Sequence, residues 1–177
     1  MSRRSLPVYH VRAAQVADVP ALLGFARELA LGPLLSRYAA DPDRLAAELC
    51  GLAESSRSAE TLLVAVPSEE ALGPQPPIAG IALVAHTGMF GSLGGYLKLI
   101  AVSDAAQGMG LGSLILSHVE QTVSSHSRDL FLLASHFNLA AHRFYARHGY
   151  REVGRLPDYV RPEITEVIFW KRLRGAR

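Results

Sequence analysis

The sequence predicts an α/β fold with the element order βααβββαβαββ, and three observations support this prediction. Short apolar runs bounded by proline and glycine are typical of strands. Longer segments with apolar residues three and four positions apart are typical of helices. A chain of 177 residues has the length of one well-buried unit, so we expect a single domain over residues 1–177.

The first half of the chain begins with a strand at 9–13 and continues with two helices. We expect the first helix to start at Asp18, a favoured N-cap residue, with Pro20 in its first turn. The second helix is expected to start with Asp41-Pro42 for the same reasons. The intervening segment, 31–38, is too apolar for a solvated loop, and we expect it to line a ligand pocket.

Proline- and glycine-rich turns separate the next three strands, so these strands are expected to form an antiparallel meander. Asn138 is a good N-cap for a later amphipathic helix, and Gly149 suits the left-handed position at that helix's end. The predicted elements from the meander onward are strands at 61–66, 78–86 and 96–102, a helix at 113–124, a strand at 130–134, a helix at 139–148, and strands near 150–154 and 166–170.

A glycine-rich run lies between the third strand of the meander and the helix that follows it. Its sequence is Gln107-Gly108-Met109-Gly110-Leu111-Gly112. Glycines place no Cβ in the way of a bulky anion, and the first N–H groups of the helix have no acceptor within the helix. This arrangement is typical of a diphosphate site. We expect main-chain N–H groups from 108–112, with that of Ser113, to bind a nucleotide-type cofactor.

The spacing of the run distinguishes the cofactor classes that use such a loop. A P-loop needs a lysine after its last glycine, but Gly112 is followed by Ser113-Leu114. A dinucleotide-binding loop needs a glycine at the sixth position from Gly108 and an acidic residue after the next strand. Ser113 occupies that position, and the strand ends in Ser135-His136. A glycine-rich turn without a ligand is the alternative that the residues alone leave open.

The remaining pattern, Q-x-x-G-x-G after the strand end Leu99-Ile100-Ala101-Val102, resembles the acetyl-CoA-binding motif of the GNAT superfamily of N-acetyltransferases. A second block, 138–150, resembles that family's other signature, with Asn, Ala, an aromatic-Tyr pair and Gly-aromatic at the same spacings. The resemblance is specific from about Gly95 to Tyr150. The short segment 156–160 is similar to one in small-molecule acetyltransferases of the phosphinothricin-resistance type.

The resemblance implies a mixed sheet flanked by helices, with a bulged strand that splays from its neighbour and exposes its main chain to acetyl-CoA. By position, Ile100, Ala101 and Val102 would supply that main chain, and Asn138 would add a contact to the co-substrate. Tyr145 occupies the place of the family's acid. A phenol of pKa about 10 is protonated at neutral pH and can return a proton to a departing thiolate.

The residues do not identify a general base. An alkyl ammonium of pKa about 10.4 must lose a proton before it attacks, which costs roughly 4 to 5 kcal/mol at pH 7. Many relatives carry a carboxylate on or near the bulged strand, but 94–98 contains none. His86, His136 and Tyr96 are the candidates. We expect Lys98 to point away from the cleft, where its charge would disfavour a cationic substrate.

We therefore expect an acetyl-CoA-dependent N-acetyltransferase in which a primary amine of a small molecule attacks the thioester directly. Leu34, Leu35, Met89 and Phe90 are expected to wall an apolar acceptor pocket. Two alternatives stay open: a non-catalytic acyl-CoA-binding sensor, and an enzyme that acetylates a protein lysine or N-terminus. By analogy with the family we also expect a homodimer.

Composition argues against several other classes. The chain is 49% apolar with a formal net charge of +2, and its scattered basic residues do not predict a nucleic-acid surface. Cys50 is the only cysteine, so no intrachain disulfide is possible. The spacing of histidines does not predict a metal site, and no apolar run has membrane-spanning length. We expect a cytoplasmic protein that binds neither metal, membrane nor nucleic acid.

Overall fold

The computed structural model describes residues 8–55, 59–68, 77–86 and 94–173. These residues form a seven-stranded mixed sheet in the order β1-β2-β3-β4-β5-β7-β6, with helices on both faces. The strands are β1 (Tyr9–Ala13), β2 (Glu60–Pro67), β3 (Gly80–Ala85), β4 (Gly95–Val102), β5 (Asp129–Ser135), β6 (Arg151–Leu156) and β7 (Glu166–Arg172), and the helices are α1 (Val19–Leu31), α2 (Pro42–Glu54), α3 (Leu111–Ser124) and α4 (Leu139–Arg147). The predicted element order is confirmed.

The sheet divides the hydrophobic core into two layers. Along β2, Leu62, Val64 and Val66 pack with α1 and α2, whereas Leu63 and Ala65 pack with α3 on the other face. Successive side chains of a strand point to opposite faces, so a strand covered on both sides must be apolar throughout. This explains the unbroken apolar run in this part of the sequence.

Helices α2 and α4 begin as the sequence predicts. Asp41 accepts hydrogen bonds from two N–H groups in the first turn of α2. Asn138 accepts the N–H of Ala141 at 3.1 Å at the start of α4. Gly149 follows α4 with a φ of 83°, the left-handed conformation expected of it.

Asp18 precedes α1 as predicted, but the expectation that its side chain caps the helix is wrong. The carboxylate binds the guanidinium of Arg12 through both oxygens, at 2.6 and 2.8 Å, and accepts the N–H of Gln15. A bidentate bond between two charges is stronger than a bond to a neutral helix amide, so the ion pair is the more stable arrangement. The pair attaches the start of α1 to β1.

Strands β2, β3 and β4 form the predicted antiparallel meander. Its last strand contains a bulge, because Leu83 of β3 pairs with Leu99 while the next residue, Val84, pairs with Leu97. Lys98 is therefore an extra residue without a partner in β3. Bulges bend a strand and increase its twist, which turns the second half of β4 away from its original direction.

Strands β4 and β5 run parallel, but they pair only from Gly95 opposite Leu130 to Leu97 opposite Leu132. Beyond these three pairs the two strands separate. The second half of β4 thus keeps β3 on one side, and no described strand pairs with it on the other. The bulge and the splay that the family resemblance implied are both present, and the gap between the strands is the start of the site.

Three further details bear on the site. Helix α3 begins at Leu111, slightly before its predicted start. The apolar segment 31–38 ends in a short 3-10 turn, Leu35–Tyr38, which reaches back over the sheet. Met89 and Phe90, expected in the acceptor pocket, lie outside the described residues.

Candidate active site

The gap between β4 and β5 opens into a cavity of about 340 Å³. Its walls come from the separated halves of β4 and β5, from α4, from the turn Leu35–Tyr38 and from the connection between β6 and β7. Most of the lining is apolar. The lining residues with hydroxyl, amide or carboxyl side chains are Tyr38, Tyr96, Ser135, Asn138, Tyr145 and Glu166.

The second half of β4 presents main-chain groups to this gap. Ser103, directly after the strand, donates its N–H to a carbonyl on the β3 side. Main-chain groups of successive residues in a strand point alternately to its two edges. Ile100 and Val102 therefore direct their N–H and C=O groups into the gap, while those of Ala101 point to β3. Consistent with this, the side-chain amide of Gln107 reaches the carbonyl of Val102 at 3.4 Å.

The glycine loop forms a cradle, defined here as residues 108–112, of main-chain N–H groups without acceptors. Gly108 and Gly110 have φ values of 76° and 79°, which side-chain-bearing residues rarely adopt, and a Cβ at either position would project into open space. No described residue accepts a hydrogen bond from the N–H groups of 108–112. The first N–H groups with a partner are those of Ser113 and Leu114, which donate to the carbonyl of Gly110.

Two residues predicted to contact the cofactor have other partners. Ser113 uses its N–H within α3, and its hydroxyl lies 2.9 Å from Nε2 of His148. Gln107 donates its side-chain amide to Asp104 at 2.8 Å. The main chain of 108–112 is therefore the part of the predicted run that remains available to an anion.

Tyr145 projects from α4 into the cavity and is only 5% exposed. Its ring packs against Phe144, Tyr150 and Phe169. Its hydroxyl has no hydrogen-bond partner among the described residues. Burial raises the pKa of this phenol well above its ordinary value, because a phenolate would lose its hydration. The group therefore stays protonated and free to donate to a ligand in the cavity.

Glu166, the first residue of β7, pairs with Ser135 of β5, and both residues line the cavity. Its side chain is 3% exposed, and its Oε1 accepts a hydrogen bond of 2.5 Å from the hydroxyl of Tyr38. Burial raises the pKa of Tyr38 to about 12, and this hydrogen bond to a carboxylate adds to the shift. The cavity thus has a hydroxyl donor at the α4 side and a carboxylate at the β7 side.

The family model described as an acetyltransferase (GNAT) domain matches residues 60–152, more than half of the chain. The chain belongs to the GNAT acetyltransferases. The match covers the bulged strand, the cradle and Tyr145, so the expectation of an N-acetyltransferase from this family is confirmed. No curated protein matches the sequence significantly.

Solved structures of GNAT proteins share the fold. A Desulfovibrio desulfuricans protein assigned to the GNAT acetyltransferases is 24% identical, with a TM-score of 0.69 over 94% of this chain and 100% of that one. Arabidopsis thaliana NAA60 in complex with acetyl-CoA is 14% identical, with a TM-score of 0.70 over 95% and 100%. Aminoglycoside 6'-acetyltransferase type Ii is 15% identical, with a TM-score of 0.70 over 95% and 99%. At these identities the likeness concerns the fold alone.

The two histidines considered as bases in this GNAT domain do not line the cavity. His86 lies 2.8 Å from the hydroxyl of Thr61 through its Nε2, and burial lowers its pKa. His136 accepts the N–H of Thr165 on its Nδ1 at 3.2 Å. Tyr96 does line the cavity, but burial raises its pKa to about 12, so it is a donor rather than a base at neutral pH.

Glu166 is the site residue that the sequence analysis missed. A charged residue at the start of a strand is a weak signal, because strand ends are commonly solvated. Its position opposite Ser135 depends on β7 lying between β5 and β6, which the sequence does not reveal. Lys98, in contrast, turns its ammonium to Glu60 at 3.0 Å and Glu48 at 3.6 Å, in agreement with the expectation that it points away.

Within residues 8–55, 59–68, 77–86 and 94–173, no three His, Cys, Asp or Glu side chains are grouped to hold a metal ion. None of the helices in these ranges is long and apolar enough to cross a membrane.

Proposed function

We propose that this GNAT domain transfers an acetyl group from acetyl-CoA to the primary amine of a small molecule. The observation that carries the proposal is that the cradle lies next to the cavity. Phe144 lines the cavity and its ring also lies 3.6 Å from the position of a Cβ on Gly112, so one side chain borders both the cradle and the space that Tyr145 lines. A pantetheine arm that starts at the cradle would end beside that hydroxyl.

The cradle suits a diphosphate because it offers several unpaired N–H groups at the start of a fourteen-residue helix, α3. The helix dipole contributes roughly 0.3 to 1 kcal/mol when the site is exposed and up to about 2 kcal/mol when it is partly buried. Main-chain hydrogen bonds therefore carry more of the binding. Ile100 and Val102 add main-chain groups along the gap, where an extended arm can pair as a short strand would.

The cavity favours direct attack of the amine on the thioester. The described lining contains neither a cysteine nor a histidine, so it lacks the Cys–His and Ser–His pairs that are typical of covalent acyl-enzyme catalysis. Tyr145 would donate its proton to the sulfur as the C–S bond breaks. The departing thiolate occupies the same water-poor space as the phenol, so burial raises the proton affinity of both groups.

The size of the cavity supports a small acceptor. A volume of about 340 Å³ is near the lower end of the range of roughly 300 to 1,000 Å³ for small-molecule sites, and the thioester must share it. Leu34, Leu35 and Val160 contribute apolar walls. An amine with a compact apolar body fits this description better than a peptide or a multi-ring polycation.

A free-thiol assay with purified protein tests the proposal. The wild-type chain should release coenzyme A with members of a small-amine panel and not with a panel of peptides. Tyr145→Phe should bind acetyl-CoA like the wild type but lose about 10²-fold or more in turnover, in the range typical of general acid catalysis. Thiol release only with peptides would replace the small-molecule acceptor by a protein, and binding of acetyl-CoA without any release would indicate a sensor.

A further inference from the structure

Two carboxylates of the described residues are almost completely buried, and their surroundings differ. Asp18 is 6% exposed and shares both oxygens with the guanidinium of Arg12. Glu166 is 3% exposed, and no cation among the described residues lies within ion-pair distance of it. Its protein partner is the neutral hydroxyl of Tyr38.

A buried carboxylate without a cation is unfavourable, because one hydrogen bond does not replace its hydration. Asp18 shows how this fold compensates such a group when the role is structural. Glu166 has no such compensation, but it does have a cavity in front of it. Among the described residues that line the cavity, the others are apolar or neutral apart from Lys98, whose ammonium is already paired with Glu60 and Glu48. A cation that enters the cavity would therefore find one unpaired carboxylate.

We propose that Glu166 binds the ammonium group of the acceptor and takes the proton that the nitrogen must lose before it attacks the thioester. This inference rests on the proposed function. The N–H bond of the ammonium breaks and an O–H bond forms on Glu166. The neutral nitrogen then forms the C–N bond, the C–S bond breaks as Tyr145 gives its proton to sulfur, and the second proton lost by the nitrogen restores the phenol of Tyr145. Glu166 finally releases its proton to solvent.

The other polar groups near the carboxylate do not take this role. Tyr38 and Tyr96 have pKa values raised to about 12, chiefly by burial, so both remain neutral donors around neutral pH. Arg37, beside Tyr38, places its guanidinium over the ring of Phe137, 3.6 Å from the ring centroid. Three further groups flank this region: Tyr159 lies near Tyr96, His136 accepts the N–H of Thr165, and Arg161 donates to the main-chain carbonyls of Tyr38 and Ala39.

The same geometry specifies the class of acceptor. One carboxylate surrounded by apolar walls compensates one positive charge, so a second ammonium on the acceptor would face Leu34, Leu35 or Val160 without a partner. A carboxylate beside the amine, as in an amino acid, would meet Glu166 with like charge. The acceptor is therefore a monoamine with an apolar body, for which phenethylamine is a suitable probe.

The test compares Glu166→Gln with the wild type on two amines of nearly equal shape. Phenethylamine is an ammonium at neutral pH, whereas its β,β-difluoro analogue is mainly neutral because fluorine lowers the basicity of the nitrogen. We expect Glu166→Gln to lower kcat/KM for phenethylamine about 10²- to 10³-fold at neutral pH, in the range typical of general base catalysis. The loss should be much smaller for the fluorinated amine, which needs no base before it attacks.

Two control variants separate this role from a structural one. Asp18→Asn removes a buried carboxylate outside the cleft. It should leave the ratio of kcat/KM between the two amines unchanged. His136→Asn removes the imidazole that accepts the N–H of Thr165, and it should leave the pH profile for phenethylamine unchanged. A Glu166→Gln variant that loses the same factor with both amines, at unchanged acetyl-CoA affinity, would overturn the proposal.

A binding measurement distinguishes failure of this proposal from failure of the proposed function. Phenethylamine is titrated by calorimetry into protein saturated with coenzyme A, which cannot transfer an acetyl group. Binding that Glu166→Gln abolishes, without thiol release from acetyl-CoA, supports the ammonium site and overturns the proposed function. Thiol release that does not depend on Glu166 supports the proposed function and overturns the ammonium site. A wild-type protein that neither binds nor acetylates the amine overturns both.

Discussion

The two ends of the cleft handle charge in opposite ways. The cradle offers an anion only main-chain N–H groups, from the five consecutive residues 108–112, and contains no charged side chain. The opposite end offers a cation one side-chain carboxylate, Glu166, with Tyr38 and Tyr96 from two other parts of the chain. Substitutions can therefore disturb the cradle only by changing its backbone conformation. At the acceptor end, one substitution that neutralises Glu166 removes the charge.

The largest difference in stability is expected between variants of the two buried carboxylates. Asp18→Asn breaks a buried ion pair and should lower the free energy of unfolding by about 3 kcal/mol, at the lower end for such pairs because the Arg12 side chain is 29% exposed. Glu166→Gln should instead raise it by about 1 kcal/mol, since it removes an unpaired buried charge. Urea unfolding of both variants measures this. Equal losses would mean that both acids are structural.

A smaller loss is expected from Tyr38→Phe at the acceptor end. The change removes the hydroxyl that donates to Glu166 and should lower the free energy of unfolding by about 2 kcal/mol, as for other hydrogen bonds to charged groups. Because the carboxylate remains, turnover of phenethylamine should fall less than in Glu166→Gln. Steady-state kinetics and urea unfolding of the same preparation check both parts. A Tyr38→Phe enzyme as inactive as Glu166→Gln would assign the proton transfer to the pair rather than to Glu166.

At the cradle, Gly110→Ala should weaken acetyl-CoA binding about tenfold, which corresponds to the roughly 1 to 2 kcal/mol of strain for a side-chain-bearing residue in the left-handed region. Gly112→Ala is the matched control. Its Cβ would make ordinary contact with Phe144 at 3.6 Å in a normal helical conformation, so its affinity should stay close to that of the wild type. Calorimetry with acetyl-CoA distinguishes the two, and equal affinities would argue against a cradle that depends on backbone conformation.

The smallest predicted effect is a dependence on pH. Arg12 lowers the pKa of Asp18 below its ordinary value, so folding favours the ionised form. The resulting stability is fully present above the pKa of Asp18 in the unfolded chain and is lost as the pH falls through the folded pKa. The difference in unfolding free energy between wild type and Asp18→Asn should therefore shrink below about pH 4. A difference that stays constant to lower pH would contradict the ion pair.

The cradle could be predicted from sequence because everything it needs is local. A strand, glycines able to adopt positive φ and a helix N-terminus follow one another directly, so the order of residues specifies the geometry. Asn138 at the start of α4 was predictable for the same reason. Tyr145 could be placed by its position in that helix. The sequence could not predict that its hydroxyl has no hydrogen-bond partner among the described residues.

The acceptor end could not be predicted because its parts meet only in the folded sheet. Tyr38 and Glu166 are 128 residues apart in the chain, and their contact depends on the position of β7 beside β5. His86 and His136 follow the strands expected near the cleft, but their rings bond to Thr61 and Thr165 instead. Strand order and side-chain direction are both set by tertiary packing, which the local sequence does not encode.

In the proposed mechanism, one cleft binds acetyl-CoA by the main chain of the cradle and leaves its other end to the amine. Calorimetric titration of acetyl-CoA into the wild type, Gly110→Ala and Glu166→Gln tests it most directly. We expect one site per chain, with equal affinity in the wild type and Glu166→Gln and weaker binding in Gly110→Ala. No heat with the wild-type protein, or a loss in Glu166→Gln equal to that in Gly110→Ala, would contradict it.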